Sequence, residues 1–525
     1  MKQIIYILFS VLILTSCMKK QEEKNNKIRN IVVIIGDDHS YEVTGCYGNN
    51  IIQTPNLDRL AREGVLFENV YTNSPICSAS RQSLLTGKYP HATGVNLLFT
   101  PFNDRINTTI AEHLREHGYQ TGLIGKTHFN NWIWYPLYEH GLPNHGFDQM
   151  IEGDDYRNYL VNTEVEEIPE ALLTWNLRDA QNIAYKKNAP MLPQPCYDKN
   201  CEGTYFANQA VEFMTNNKNK SFFLWVAFHE PHAPFNFPIE YSGKYDPEQI
   251  PVPQGSPEDD RWLPLIFKDI TEEEKKGIIA SYYTSVEYMD KNIGIVLDGL
   301  EQQGLEENTM VIYLSDQGYL LNDHKRFEKH TLWEESIKSP MIIRGGNHFL
   351  SNVRTDALVE FVDVVPTIIE TLGIKPLLSA QGESFLPVLL NEGQQHKSFV
   401  FAEFLEDNKA MVASKEWKYI FTTGKKDLDM GHQTGYPAPG IYHRLYDLKN
   451  DPEETTNLAY DIKYENLITG YQQEMIKTFL QTHPYVDELP LGLSDIGKLV
   501  WFCEPRDVGA QPGGFPYRIF EGNNE

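Results

Sequence analysis

Four short apolar runs, each closing on polar residues, set the rhythm of the chain. Residues 31–35 lead into Gly36-Asp37-Asp38, and 121–125 into Lys126-Thr127-His128. Residues 222–228 lead into His229-Glu230-Pro231-His232, and 309–314 into Ser315-Asp316-Gln317-Gly318. Runs this short, bounded by turn residues, predict strands covered on both faces. Helical periodicity between them predicts helices over 57–64, 109–118, 205–216 and 271–304. The alternation predicts an α/β fold, a large doubly wound and mostly parallel sheet flanked by helices. In such sheets, sites form beyond the carboxyl ends of the strands, where all four polar clusters fall. That is the pattern of an α/β enzyme.

The pattern changes towards the C-terminus. Residues 397–422 alternate apolar and polar like antiparallel strands, 446–454 read as a strand and turn, and 464–482 as a packing helix. A smaller C-terminal antiparallel sheet plus helix is therefore expected. The tail 489–520 is rich in Pro, Gly and aromatics and is expected to wrap back onto the main body. At the other end, Met1-Lys2 precedes an apolar run over 4–14, too short to span a bilayer permanently, which reads as a signal peptide. It closes on Leu14-Thr15-Ser16-Cys17, similar to a bacterial lipobox, with Cys17 as the lipidated residue. The expected partition is signal peptide 1–16, tether 17–29, catalytic α/β domain 30–392 with an insertion at 130–204, and C-terminal subdomain 393–525. The expected location is an exported lipoprotein, facing the periplasm or anchored in the outer membrane.

Composition adds two constraints. The 525 residues carry a formal net charge of −26, which argues against nucleic-acid binding. Any anionic substrate must then be held by a local basic cluster. Of the six cysteines, Cys196 and Cys201 sit five apart in a loop and could close a local disulfide in an oxidising compartment. Cys46 and Cys503 have no evident partner. The oligomeric state is not readable.

The candidate chemistry centres on Cys77, in Pro75-Ile76-Cys77-Ser78-Ala79-Ser80-Arg81-Gln82-Ser83-Leu84-Leu85-Thr86-Gly87. A small-residue run breaking into a helical pattern puts Cys77 at a helix N-terminus, where oxyanions are favoured. Arg81, one turn on, can fork onto such an anion. Adjacent Asp37 and Asp38 would repel unless a cation lay between them, and Asp316 with Gln317 adds a carboxylate and an amide oxygen from a second strand end. Together they predict an all-oxygen site for one hard divalent cation, Ca²⁺ first and Mg²⁺ as the alternative.

The Cys77 segment resembles the sulfatase signature, in which such a cysteine is oxidised to formylglycine, the nucleophile for sulfate-ester hydrolysis. Ala79 departs from the usual Pro. The likeness to the formylglycine-dependent sulfatases of the alkaline phosphatase superfamily runs over about 30–459 and weakens between 130 and 204. It implies metal ligation by Asp37, Asp38, Asp316, Gln317 and the modified Cys77, with Gln317 in place of the usual Asn. It also implies an anion cradle of Arg81, Lys126 and Lys329. His128 is implied as the base, and His232 as the acid with His229 as its alternate. With the lipobox and the acidic surface, which would repel an extended polyanion, the expected substrate is a sulfated oligosaccharide attacked from its end. An anaerobic-type maturation enzyme tolerant of Ala79 is the implied partner. Aromatics of the insertion (Trp132, Trp134, Tyr135, Tyr156), with Arg157, are candidates to line a sugar pocket. A sulfamidase acting on N-sulfated glucosamine, a phosphoesterase or phosphonate hydrolase, and a non-catalytic glycan-binding lipoprotein stay as alternatives.

Overall fold

The computed structural model describes residues 27–98, 100–129, 144–173, 176–177, 181–393, 395–423 and 440–507. The signal and lipobox, with Cys17, and Trp132, Trp134 and Tyr135 lie outside them. The main sheet has eight strands: β1 (Asn30–Asp37), β2 (Val65–Tyr71), β3 (Gln120–Gly125), β4 (Gln149–Ile151), β5 (Phe222–Pro231), β6 (Thr309–Ser315), β7 (Met341–Arg344) and β8 (Val353–Glu360). Their order is β8-β2-β7-β6-β1-β5-β3-β4, parallel except for β7. The four strands expected from sequence are its contiguous centre. This is the doubly wound α/β architecture.

Alternation along each strand divides the core. Ile31, Val33 and Ile35 of β1 join one apolar layer, while Val32 and Ile34 join the opposite one. On the first side pack the helices Cys77–Thr86, Ile110–Glu116 and Val364–Leu372; on the second pack Pro55–Glu63, Glu202–Asn217 and Glu272–Gln302. Two of these helices begin at reciprocal capping boxes, Thr109 with Glu112 and Thr271 with Glu274, which satisfy backbone donors that the helix itself leaves open. None of the described helices is long and apolar enough to cross a membrane.

The C-terminal sheet is antiparallel, with β9 (Val400–Phe404), β10 (Lys409–Ala413), β11 (Trp417–Thr422) and β12 (Tyr442–Asp447) in sequence order. Its two faces have different partners. Phe401, Val412 and Phe421 pack under the helices Glu465–Thr482 and Asp495–Phe502, with Phe479 and Phe502 at the centre. Val400, Ala402, Met411 and Ile420 face the main body, against Ile76 and Ala79 beside Cys77. The described part of the tail does fold back. Buried Asp507 accepts from the backbone N–H of Asn96 (2.6 Å) and Leu97 (2.9 Å) and from the Thr100 hydroxyl (2.7 Å).

Cys196 and Cys201 form a disulfide, whereas Cys46 and Cys503 are free thiols. Tyr156 is buried and its hydroxyl donates to the Asn200 carbonyl (2.9 Å). It therefore serves packing and does not line a sugar pocket. Arg157 is exposed and pairs with Asp154.

Phe479 stacks on Phe502 at 4.8 Å between ring centroids and meets Phe401 edge-on at 5.0 Å. Phe479→Ala should cost about 3–5 kcal/mol, the usual range for a buried phenylalanine. Urea unfolding followed by tryptophan fluorescence measures it; an unchanged midpoint would show that the helix does not hold the sheet.

Candidate active site

The register of β1 on β6 creates the site. Gly36 pairs with Ser315, so Asp37-Asp38 and Asp316-Gln317 leave neighbouring strand ends side by side. The Asp38 N–H donates to Asp316 Oδ1 (3.0 Å) and the Asp316 N–H to the Gly36 carbonyl (3.1 Å). The helix Cys77–Thr86 points its first residue at this corner, and Ile76 before it offers no capping side chain. Ser80 anchors the helix. Its hydroxyl donates to the Asp316 carbonyl and accepts from Thr72 (3.0 Å).

Three carboxylates converge here in full burial: Asp37 and Asp316 are 0 % exposed and Asp38 1 %. Ligand atoms from Asp37, Asp38, Cys77 and Asp316 all lie within 4.8 Å of one another. Cationic side chains crowd the same point. Lys329 Nζ is 2.6 Å from Asp38 Oδ1 and 2.9 Å from Cys77 Sγ. Lys126 pairs with Asp37 and stands 3.8 Å from Cys77 Sγ. Arg81 departs from the expected fork onto a substrate anion. Its Nε is committed to Asp316 Oδ2 (2.8 Å) and Nη1 to the Lys126 carbonyl (2.9 Å), leaving Nη2, which has no hydrogen bond but lies 3.6 Å from Asp37 Oδ1.

Burial and charge compete at every titratable group. Burial pushes Asp37 up, but Lys126, His232, Arg81 and Lys329 outweigh it and hold the carboxyl well below its ordinary value. Asp316 is less fully offset, and burial lifts it to about 6 against the pull of Arg81. Burial also raises the Cys77 thiol to about 12 despite both lysines. An unmodified thiol here stays protonated at neutral pH.

The histidines sit around this centre with unequal roles. His232 Nε2 is 3.7 Å from Asp38 Oδ2, and its Nδ1 meets the Ala233 carbonyl at 2.8 Å. Burial lowers its pKa to about 4, against Asp37 and Asp38. His229 instead pairs through Nδ1 with Glu202 Oε2 (2.8 Å). His128 is pushed well below its ordinary pKa by burial and then by Lys126 and Arg81, and its Nδ1 has no hydrogen-bond partner. The supports Ser80, Thr72 and Glu202 were not assigned roles from sequence; only the position of Ser80 in the Cys77 motif gave a signal.

The donor set fits a hard cation. Its oxygens come from three buried carboxylates and from Gln317, whose Oε1 is buried without a partner while its Nε2 donates to Asp38 and to Cys77 Sγ (3.1 Å). Oxygen-only ligation of this kind suits Ca²⁺ or Mg²⁺.

Comparison with known proteins decides the family. Residues 29–374 match the model of the sulfatase family. The chain belongs to that family. Sulfatases are sulfuric ester hydrolases and generally metal-dependent. Residues 322–481 also match the C-terminal model of N-sulphoglucosamine sulphohydrolase. An arylsulfatase of Clostridium perfringens is 28% identical over 85% of this chain and 94% of its own length. An N-acetylglucosamine-6-O-sulfatase of Bacteroides thetaiotaomicron is 27% identical over 92% and 91%. Among solved structures, one bound to its substrate D-glucosamine-2-N,6-O-disulfate superposes with a TM-score of 0.67 at 23% identity, over 87% of this chain and 98% of that one. A phosphonate monoester hydrolase from Silicibacter pomeroyi superposes at 0.71 and 20%, over 87% and 96%. These structures share the fold.

The sulfatase's second lysine rides on a strained segment. Asn322, His324, Lys325, Glu328 and His330 all have positive φ, a region that costs most residues energy and persists only where surroundings enforce it. Here His324 stacks on Trp333 at 4.0 Å and bonds Asp259 at 2.9 Å. Lys187 grips Glu328 at 2.5 Å. The geometry of Lys329 is thus set by its neighbours' packing.

Removing Arg81 tests the charge balance. In chelator-treated sulfatase, Arg81→Leu should lower stability by about 3–5 kcal/mol, because Asp316 is left buried and unpaired. Urea unfolding reads this; unchanged stability would mean that the carboxylates are neutralised without the guanidinium.

Proposed function

We propose that this sulfatase removes sulfate from a sugar at the end of a glycan fragment, with Cys77 converted to formylglycine. One observation carries the reading: Cys77 Sγ, 1 % exposed as a residue, is met by Lys329 and Gln317 while sharing its corner with three carboxylates. Asp37, Asp38, Asp316 and Gln317, with the modified residue 77, would hold one divalent cation, Ca²⁺ before Mg²⁺. There it would act as a Lewis acid. A hydrated formylglycine supplies one hydroxyl to attack sulfur and a second whose deprotonation releases sulfate.

The chain's own residues do the rest. With a cation among the carboxylates, Lys126 and Lys329 no longer carry the neutralisation alone, and their ammonium groups can turn to the sulfate oxygens. Arg81 orients Asp316 and offers only Nη2 to the anion. His232, its Nδ1 held by a backbone carbonyl, presents Nε2 to the leaving group. An anionic sulfate beside it favours the imidazolium form, which can protonate the departing oxygen. His229 is the alternate acid, tied to Glu202. His128, neutral, takes the proton from the second hydroxyl.

The acidic surface would repel an extended polyanion while the local cradle holds one sulfate. That favours short fragments and action from the chain end. We place the protein as an exported lipoprotein anchored through Cys17, matured by an anaerobic-type enzyme that accepts Ala79. A second reading, cleavage of N-sulfate, is favoured by the match of 322–481 to the sulphohydrolase model.

The test compares sulfate release from 6-O-sulfated and N-sulfated glucosamine oligosaccharides with release from the parent polymer, for wild type and Asp316→Ala. Short substrates should react faster, and Asp316→Ala should lose bound metal and activity together, since a carboxylate leaves the coordination set. Internal sulfates released first from intact polymer would refute action from the end. Full activity after metal removal would refute the cation's role.

A further inference from the structure

Beside the strained segment lie two arginines that no ion pair in the described structure answers; Glu328 and Asp407 act on Arg326 only from a distance. Arg326, between the short strands Leu320–Leu321 and Phe327–Glu328, is 5 % exposed; Arg444, on β12, is 3 % exposed. Among the described residues neither forms an ion pair, and the Nε of each is buried without a hydrogen-bond partner. Buried arginines are almost always paired, because an unanswered guanidinium gives up water for nothing. Burial holds the Arg326 pKa down to about 10, and Arg444 pushes the same way. Lys409 adds a third positive charge acting on both.

The carboxylates that reach this cluster are already committed. Asp407 pairs with Lys409, and Glu328 with Lys187 at 2.5 Å. The walls are aromatic. The Arg444 guanidinium carbon lies 4.5 Å from the Trp262 ring centroid and 5.3 Å from that of Trp333, and Lys409 Nζ 5.7 Å from Phe404. The cluster also adjoins the reacting centre. Arg326 Nη2 is 3.5 Å from the carbonyl of Lys329, the residue whose Nζ touches Cys77.

We propose that Arg326 and Arg444 form a second anion subsite, which holds an oxyanion on the substrate other than the sulfate being hydrolysed. Two guanidinium forks match the planar or tetrahedral oxygens of a carboxylate or sulfate, and the tryptophans stacked on Arg444 hold its fork in place. The substrate class is then a glycan fragment carrying two anionic groups, the second a sulfate or a uronate carboxylate. This deepens the proposed function and rests on it. It also gives the C-terminal sheet a direct part in recognition, through Arg444.

The experiment measures kcat and KM for wild type, Arg444→Gln and Arg444→Lys on three defined disaccharides. One carries a single sulfate and no other anion, one carries two sulfates, and one carries a sulfate and a uronate. Arg444→Gln should raise KM about tenfold on at least one doubly anionic substrate, leave kcat near wild type, and change the singly sulfated substrate by less than about twofold. Arg444→Lys, which keeps charge without the fork, should fall between. The substrate that loses affinity says whether the second anion is sulfate or carboxylate. Equal losses on all three, or none, would overturn the subsite. Should no sugar release sulfate at all, the functional reading fails instead. Calorimetric binding of the same disaccharides to wild type and Arg444→Gln then still decides the subsite, by the loss of about tenfold in affinity or its absence.

Discussion

Everything at this site depends on burying three carboxylates at one corner of the sheet. Asp37, Asp38 and Asp316 repel one another in a medium that screens poorly, so the corner is stable only with positive charge among them. The chain supplies Arg81, Lys126 and Lys329, each from a different element. In doing so it brings two ammonium groups to Cys77. The same electrostatic requirement thus gathers oxygen donors suited to a cation and ammonium groups suited to an oxyanion. Placing them at neighbouring strand ends needs only the parallel register of β1 with β6.

Packing fixes the remaining degrees of freedom. The start of the Cys77 helix is pressed between the main sheet and the inner face of the C-terminal sheet, with Ile76 and Ala79 in that contact. Ser80 ties the helix to the Asp316 backbone. The segment carrying Lys329 accepts several left-handed residues because His324, Trp333 and Lys187 hold it from both sides. The C-terminal sheet is therefore a structural part of the active site and, through Arg444, a candidate part of substrate recognition.

Much of the fold was legible because the central strands are apolar on both faces and end in polar turns. β7 and β8 of the main sheet were not. β7 is buried but only four residues long, and the first half of β8 alternates with solvent, so neither reads as a long apolar run. The residues at the site were nameable because each follows a strand end or sits in the Cys77 motif. Their partners were another matter. Arg81 was expected on the substrate, yet the carboxylate of Asp316 takes its Nε, a contact between strand end and helix that no local pattern encodes. Tyr156 was a candidate sugar platform, but its helix packs on Glu202–Asn217 and buries it. Arg326 and Arg444 lie far apart in sequence, and only folding shows that they share a place where, among the described residues, neither forms an ion pair.

The central claim is that Cys77 works as a formylglycine beside a bound cation. Mass spectrometry of the peptide spanning residue 77, from protein made in its native host and active on a sulfated sugar, tests it most directly. The account predicts that the peptide has lost hydrogen sulfide and gained one oxygen, the change from thiol to aldehyde. A peptide carrying only the intact cysteine, in protein that turns over its substrate, would contradict it.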